Sequence, residues 1–169
     1  MAIATLQDKE LARLSRELNG TYLPYGDAET RKKYIDRQEM QDINAAKSAV
    51  SAVAARAGFK ASGLYKNSGW DLVDAIASGN VKLEELKTEQ LPSAMQPMNL
   101  TQRKAHLADM VKRRKDIQAR ILKLTAARDA FLAKERARLA AEAPAAAAAA
   151  AEPLADAIEE AIEAQARDK

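Results

Sequence analysis

Apolar residues recur at intervals of three and four along most of the chain, which is the spacing of one face of an α-helix. Leu11, Leu14 and Leu18 define such a face on a first helix, predicted over residues 6–19. Gly20 predicts the end of this helix, because glycine readily takes the left-handed conformation that closes a helix.

A second helix is predicted over residues 28–57, between Asp27 as its N-cap and Gly58 as its end. Its first half is highly charged. Its second half carries a narrow seam of small and branched apolar residues, namely Ile43, Ala46, Val50, Val53 and Ala57. Small residues in such a seam would let a partner helix approach closely.

A short helix is predicted around Trp70, with both of its ends marked. Ser68 and Asp71 fit a capping box at its start, and Gly79 closes it. The segment that follows, up to residue 98, reads as a connector that is interrupted by prolines.

The longest predicted helix runs over about residues 100–141. Asn99 and Gln102 fit a capping box, and no glycine or proline follows before Pro144. A helix of this length measures roughly 60 Å at 1.5 Å per residue. Its apolar residues follow a seven-residue pattern, clearest at Met110, Ile117, Leu124 and Phe131. With mixed residues at the alternate positions, the pattern favours packing against an antiparallel neighbour.

The segment GTYLPYGD interrupts the helical pattern between the first two helices. Pro24 cannot donate a backbone hydrogen bond and pushes Leu23 away from helical geometry, so Tyr22 and Tyr25 lie on a turned or extended segment. Bulky side chains are scarce in this chain, and aromatic residues bury large areas. We therefore expect Tyr22, Leu23, Tyr25 and Trp70 to act as structural anchors, although an exposed tyrosine pair could instead bind a partner.

Together these elements predict an all-α fold, an elongated antiparallel helical bundle in which the second helix packs against the long one. The predicted organisation is a helical domain over residues 1–141, a low-complexity Ala/Pro-rich linker over residues 142–153 and an acidic amphipathic tail over residues 154–169.

The composition argues against an enzyme. The chain has no Cys and one His, which excludes disulfides, a catalytic thiol and multi-His metal sites. Asp71 and Asp74 lie three residues apart beside Trp70, a spacing that could serve acid–base chemistry, but we expect Asp71 to cap a helix and Asp74 to be solvated or paired. No cofactor and no metal site are predicted.

The charge of +3 conceals a gradient along the chain. Residues 100–140 carry 12 basic and 4 acidic side chains, whereas residues 141–169 carry 2 basic and 7 acidic ones. Lys112, Arg113, Arg114 and Lys115 are the candidate interaction residues. The basic helix over 103–138 keeps nucleic-acid binding open as an alternative function, although a dispersed set of bases without neighbouring aromatics disfavours it.

The segments LNGTYLPYG and WDLVDA, together with the Arg-rich long helix, resemble the helical region that follows the von Willebrand factor A domain in bacterial proteins. The resemblance covers about residues 8–135, and it includes neither the A domain nor its Asp-x-Ser-x-Ser metal motif. It implies a non-catalytic structural or protein-interaction module, with an A domain or a second copy as partner. Such a parent would be periplasmic or secreted, whereas the chain taken as complete, with no signal peptide and no membrane span, would be cytoplasmic.

Overall fold

The chain folds into five α-helices in the computed structural model, which describes the backbone of residues 3–167 and the side chains of residues 3–142. The helices are α1 (Leu6–Asn19), α2 (Ala28–Ser48), α3 (Val50–Ala61), α4 (Leu72–Ala77) and α5 (Leu100–Arg167). Three short 3-10 turns, Leu83–Glu85, Thr88–Gln90 and Ser93–Met95, lie between α4 and α5. The predicted all-α class is confirmed. The chain divides into two compact units, Met1–Arg128 and Asp129–Lys169.

The first helix has the predicted bounds, but its end differs from the prediction. Thr5 caps the N-terminus, and the Asp8 carboxylate accepts the Thr5 amide proton at 2.9 Å. Gly20 has φ −65°, so it remains right-handed rather than left-handed. Glycine is favoured here for a steric reason, because a Cβ at this position would lie 3.3 Å from the Glu17 carbonyl oxygen.

The single helix predicted over residues 28–57 is in fact two helices. Ala49 is extended, with φ −170° and ψ 157°, and it both ends α2 and begins α3. Alanine favours a helix intrinsically, so tertiary contacts override the local preference at this break. Gly58 does not end the helix, since α3 continues to Ala61; a Cβ at Gly58 would lie 3.2 Å from the Thr125 hydroxyl of α5.

One hydrophobic cluster joins α1, α3 and α5. Its buried members are Leu11, Leu14, Leu18, Ala54, Ala57, Ala61, Ile117 and Ile121. Asp8 pairs with Arg128 at 2.6 Å, while Thr21, just beyond the other end of α1, accepts from Arg114, so α1 and α5 run antiparallel. The sequence predicted that the whole second helix packs against the long helix. In the structure only its second part, α3, joins this cluster, and α2 contributes none of the described side chains.

A second cluster forms where α4 and the 3-10 turns meet the start of α5. Its buried members are Leu23, Leu72, Val73, Leu83, Leu91, Met95 and Met110. The cap of α4 differs from the predicted one: Asp71, not Ser68, is the N-cap, and its carboxylate accepts from the Asp74 amide at 3.1 Å. Gly79 closes the helix with φ 74°, as expected.

The long helix begins as predicted, with Asn99 and Gln102 each accepting the other's backbone amide proton at 2.9 Å. It covers the predicted residues 100–141, and its backbone stays helical beyond them to Arg167. The predicted linker and tail, residues 142–169, lie almost entirely outside the residues with described side chains, and their division stays a prediction.

The buried stripe of α5 repeats every 11 residues rather than every seven. Met110, Ile121 and Leu132 are all buried, whereas Phe131, which the seven-residue pattern selects, is 43% exposed. A straight α-helix drifts about 20° per heptad away from a seven-residue stripe, and an 11-residue repeat at 3.67 residues per turn stays close to the ideal 3.6. Across residues 3–167, no helix is both long and apolar enough to cross a membrane.

Candidate interaction groove and the buried centre beside it

The GTYLPYGD segment pairs with the start of α4 through backbone hydrogen bonds. The Leu72 amide donates to the Leu23 carbonyl at 2.8 Å, and the Tyr25 amide donates to the Trp70 carbonyl at 2.9 Å. The Leu23 amide donates to the Asp71 carboxylate at 2.7 Å. This pairing brings the four expected anchors together: Leu23 and Trp70 are buried, and Tyr22 and Tyr25 are half-buried.

Arg114 lies at the centre of this region and is only 5% exposed. Its guanidinium holds Asp71 in a bidentate pair at 2.6 and 3.0 Å and reaches Asp74 at 3.0 Å. It also donates to the Thr21 carbonyl at 2.6 Å, and it lies 4.8 Å from the centroid of the Tyr22 ring. Burial lowers the pKa of Arg114, but hydrogen bonding and the negative charge of Asp71 outweigh this and raise the pKa.

This centre explains two of the sequence-derived candidates. Asp71 caps α4 and binds Arg114, and Asp74 pairs with the same guanidinium, so both carboxylates are engaged in structural contacts. Arg114 was grouped with three neighbouring bases as an interaction residue, but the structure removes it from that set. The reason is geometric, since one of four consecutive helical residues must face the core.

The other three bases of the run, Lys112, Arg113 and Lys115, are exposed on α5. Arg113 lies 4.0 Å from Asp109 on the same helix. The sequence has no aromatic residue between positions 71 and 130, so α5 itself offers no ring beside these bases on which a nucleobase could stack.

Two separate open cavities, of about 360 and 270 Å³, follow one another along the seam between α1 and α2, and they share no lining residue. The larger one is lined mainly by apolar side chains, including Ile43, Ala46, Val50 and Val53 of the predicted seam and Ala12 of α1. We call the two cavities together the seam groove.

The smaller cavity continues the seam groove towards the aromatic anchors. Tyr22, Pro24 and Trp70 line it from one side, and Ile35 and Gln38 of α2 from the other. The order of residues along the seam shows that α1 and α2 run in opposite directions, because Tyr22 faces Ile35 at one end whereas Ala12 and Ala46 line the other.

Lys60 of α3 is fully buried and contacts residues that line both cavities of the seam groove. Its ammonium donates to the Ser15 hydroxyl at 3.1 Å and the Asn19 side-chain oxygen at 2.5 Å on α1, and it lies 3.4 Å from the Asp42 carboxylate on α2. Burial lowers the pKa of Lys60 to about 8, although the charge of Asp42 opposes the shift. Lys60 therefore ties both walls of the groove to α3.

Asp42 receives polar contacts from three residues of two helices, α1 and α3. Asn19 donates to it at 2.6 Å and Arg56 at 2.5 Å, in addition to Lys60. Burial raises the pKa of Asp42, but the hydrogen bonds from Arg56 and Asn19 outweigh burial and lower it. Sequence reasoning missed this network; the only signal was the position of Lys60, three residues after Ala57 on the buried face of α3.

No protein-family description, no curated protein and no solved structure matches this chain.

Proposed function

We propose that the chain is a non-catalytic protein-interaction module that binds an amphipathic helix of a partner protein in the seam groove. The observation that carries the proposal is the seam groove itself, two open and largely apolar cavities that follow one another between α1 and α2. Binding an amphipathic helix in an apolar groove is a recurrent mode of recognition. The resemblance to the region that follows A domains supports the same class of function.

The length and the rim of the seam groove indicate what kind of helix fits. From Ile35 to Ala46 the α2 wall is 12 residues long, a rise of roughly 17 Å or three turns. Arg16 is exposed beside the larger cavity, and Glu39 is exposed beside the smaller one. A partner helix with an acidic residue at one end and a basic residue at the other would therefore bind in one direction.

A designed peptide tests the proposal. The probe is a helical peptide of about 16 residues with leucines at i, i+4, i+7 and i+11, a glutamate towards one end and a lysine towards the other. Trp70 is the only Trp and lines the groove, so its fluorescence reports binding to the full chain. We expect saturable binding that weakens at least about tenfold in Ile43→Glu, since a buried carboxylate without a partner is costly.

Met40 provides the matched control on the same helix. It is 58% exposed and Ile43 is 48% exposed, but only Ile43 lines the seam groove. Met40→Glu should leave peptide affinity unchanged. Equal affinity for both variants, or no binding by the wild-type chain, would contradict the proposed function.

A further inference from the structure

The inner face of α2 differs in chemistry from those of the helices around it. Leu11, Leu14 and Leu18 of α1 are fully buried, whereas Gln38 is the only buried residue of α2. The α2 side chains that reach the rest of the protein are mainly polar, about one per turn: Arg31, Tyr34, Gln38, Gln41 and Asp42.

These polar contacts hold α2 at three levels along its length. Near the start, Arg31 donates to the Glu89 carbonyl at 2.6 Å. In the middle, the Tyr34 ring stacks on Trp70 with centroids 5.6 Å apart, and the Gln38 amide is hydrogen-bonded to the Tyr65 hydroxyl at 2.8 Å. Near the end, Asp42 binds Asn19, Arg56 and Lys60. Elements with few buried apolar contacts are the ones that open locally.

Non-helical backbone separates α2 from its neighbours at both ends. Before it, Gly26 has φ 108°, a left-handed conformation that glycine adopts freely, and its amide is fixed to the Gln90 carbonyl at 2.9 Å. After it, the extended Ala49 separates α2 from α3. Rotation at these two positions would move α2 without unwinding it.

We propose that α2 is a movable wall of the seam groove, which opens as an intact helix about Gly26 and Ala49 while α1, α3 and the first part of α5 stay packed. The Asp42 contacts with Asn19, Arg56 and Lys60 are the latch that opposes this opening. The link to the groove rests on the proposed function, since opening would regulate access for the partner helix. The opening itself depends only on how α2 is held.

Hydrogen exchange of the full chain, followed by mass spectrometry at one pH, tests the inference. In the wild-type protein, amides in the middle of α2 should exchange at least about tenfold faster than those of α1 once intrinsic rates are corrected. An α2 that has swung away from its neighbours loses their support, and an unsupported helix of 21 residues is only marginally stable in water, so its backbone hydrogen bonds then break readily. Asp42→Asn removes the charge that Arg56 and Lys60 bind. It should speed exchange in α2 about a further tenfold and leave α1 and α4 unchanged.

Asp36→Asn is the matched control, because Asp36 is exposed on α2 and pairs only with Lys32 among the described side chains. It should leave the exchange of α2 unchanged. Equal protection of α2 and α1 in the wild-type chain would overturn the inference, and that comparison requires no variant. An Asp42→Asn effect spread equally over all helices would overturn it as well.

The two proposals fail separately. Fast exchange of α2 without peptide binding would contradict the proposed function and leave the movable wall supported. Peptide binding to a chain whose α2 is as protected from exchange as α1 would support the proposed function and contradict the movable wall.

Discussion

At the scale of single residues, the decisive finding is that one base in a run of four is a core residue. Arg114 is chemically indistinguishable from Arg113 in the sequence, and only its partners Asp71 and Asp74, about 40 residues away, separate the two. Sequence reasoning could predict that Asp71 caps a helix from local spacing. It could not predict the Arg114 contacts, because they depend on tertiary packing.

Replacing Arg114 should destabilise the protein strongly. Arg114→Leu leaves the fully buried Asp71 without its counter-charge, and breaking a buried ion pair in this way costs about 3–5 kcal/mol. Urea unfolding followed by Trp70 fluorescence measures the change. Arg113→Leu, at an exposed position, should change the free energy of unfolding by less than about 0.5 kcal/mol. Similar losses in the two variants would count against the central role of Arg114.

Lys60 should make stability depend on pH. Its pKa is about 8 in the folded chain and 10.5 in the reference state, so the unfolded chain binds more protons between these values and stability rises with pH. Between pH 7 and 9.5 the gain should be about 1–2 kcal/mol. The window ends below pH 10 because burial raises the pKa of Tyr22 and Tyr25, which favours the unfolded chain once its tyrosines ionise.

The measurement is urea unfolding at pH 7 and 9.5 for the wild type and for Lys60→Met. The variant should lose the rise in stability, whereas Lys47→Met, at an exposed position on α2, should keep it. If stability still rises with pH in Lys60→Met, a group other than Lys60 causes the rise.

At the scale of elements, sequence signals were reliable where a side chain acts on its own backbone. The capping residues of α2 and α5 marked those starts correctly, because the hydrogen bonds involved span only three residues. The break at Ala49 carried no such signal. The repeat of α5 was predicted wrongly because the seven-residue and 11-residue patterns coincide at the start of the helix. Both patterns fit the buried residues Met110 and Ile117, and they diverge only near Phe131.

Two adjacent residues distinguish the two repeats of α5. Leu132→Ala should cost about 2 kcal/mol or more, since it removes a buried side chain, whereas Phe131→Ala should cost less than about 1 kcal/mol because its ring is already 43% exposed. Thermal unfolding followed by circular dichroism compares them. A larger loss of stability in Phe131→Ala than in Leu132→Ala would support the seven-residue pattern instead.

At the scale of the whole molecule, the all-α class followed directly from apolar periodicity and was predicted correctly. The charge gradient remains a property of the sequence, and its acidic part lies largely beyond the described side chains. The seam groove was only half predictable. The pattern indicated an apolar seam from Ile43 to Val53, but the opposite wall comes from α1, and Lys60 joins the two walls through Ser15 and Asp42, which only the fold brings together.

The contact between Thr21 and Arg114 also orders events during synthesis of the chain. It joins residues 93 positions apart, and Ile117 and Ile121 of the same helix complete the cluster around Leu11, Leu14 and Leu18. Such non-local contacts form late, because closing a long loop costs entropy before it yields stability. Until α5 leaves the ribosome, the leucine face of α1 has no complete cover. The nascent chain therefore passes through a stage in which that face is open to chaperones and to other nascent chains.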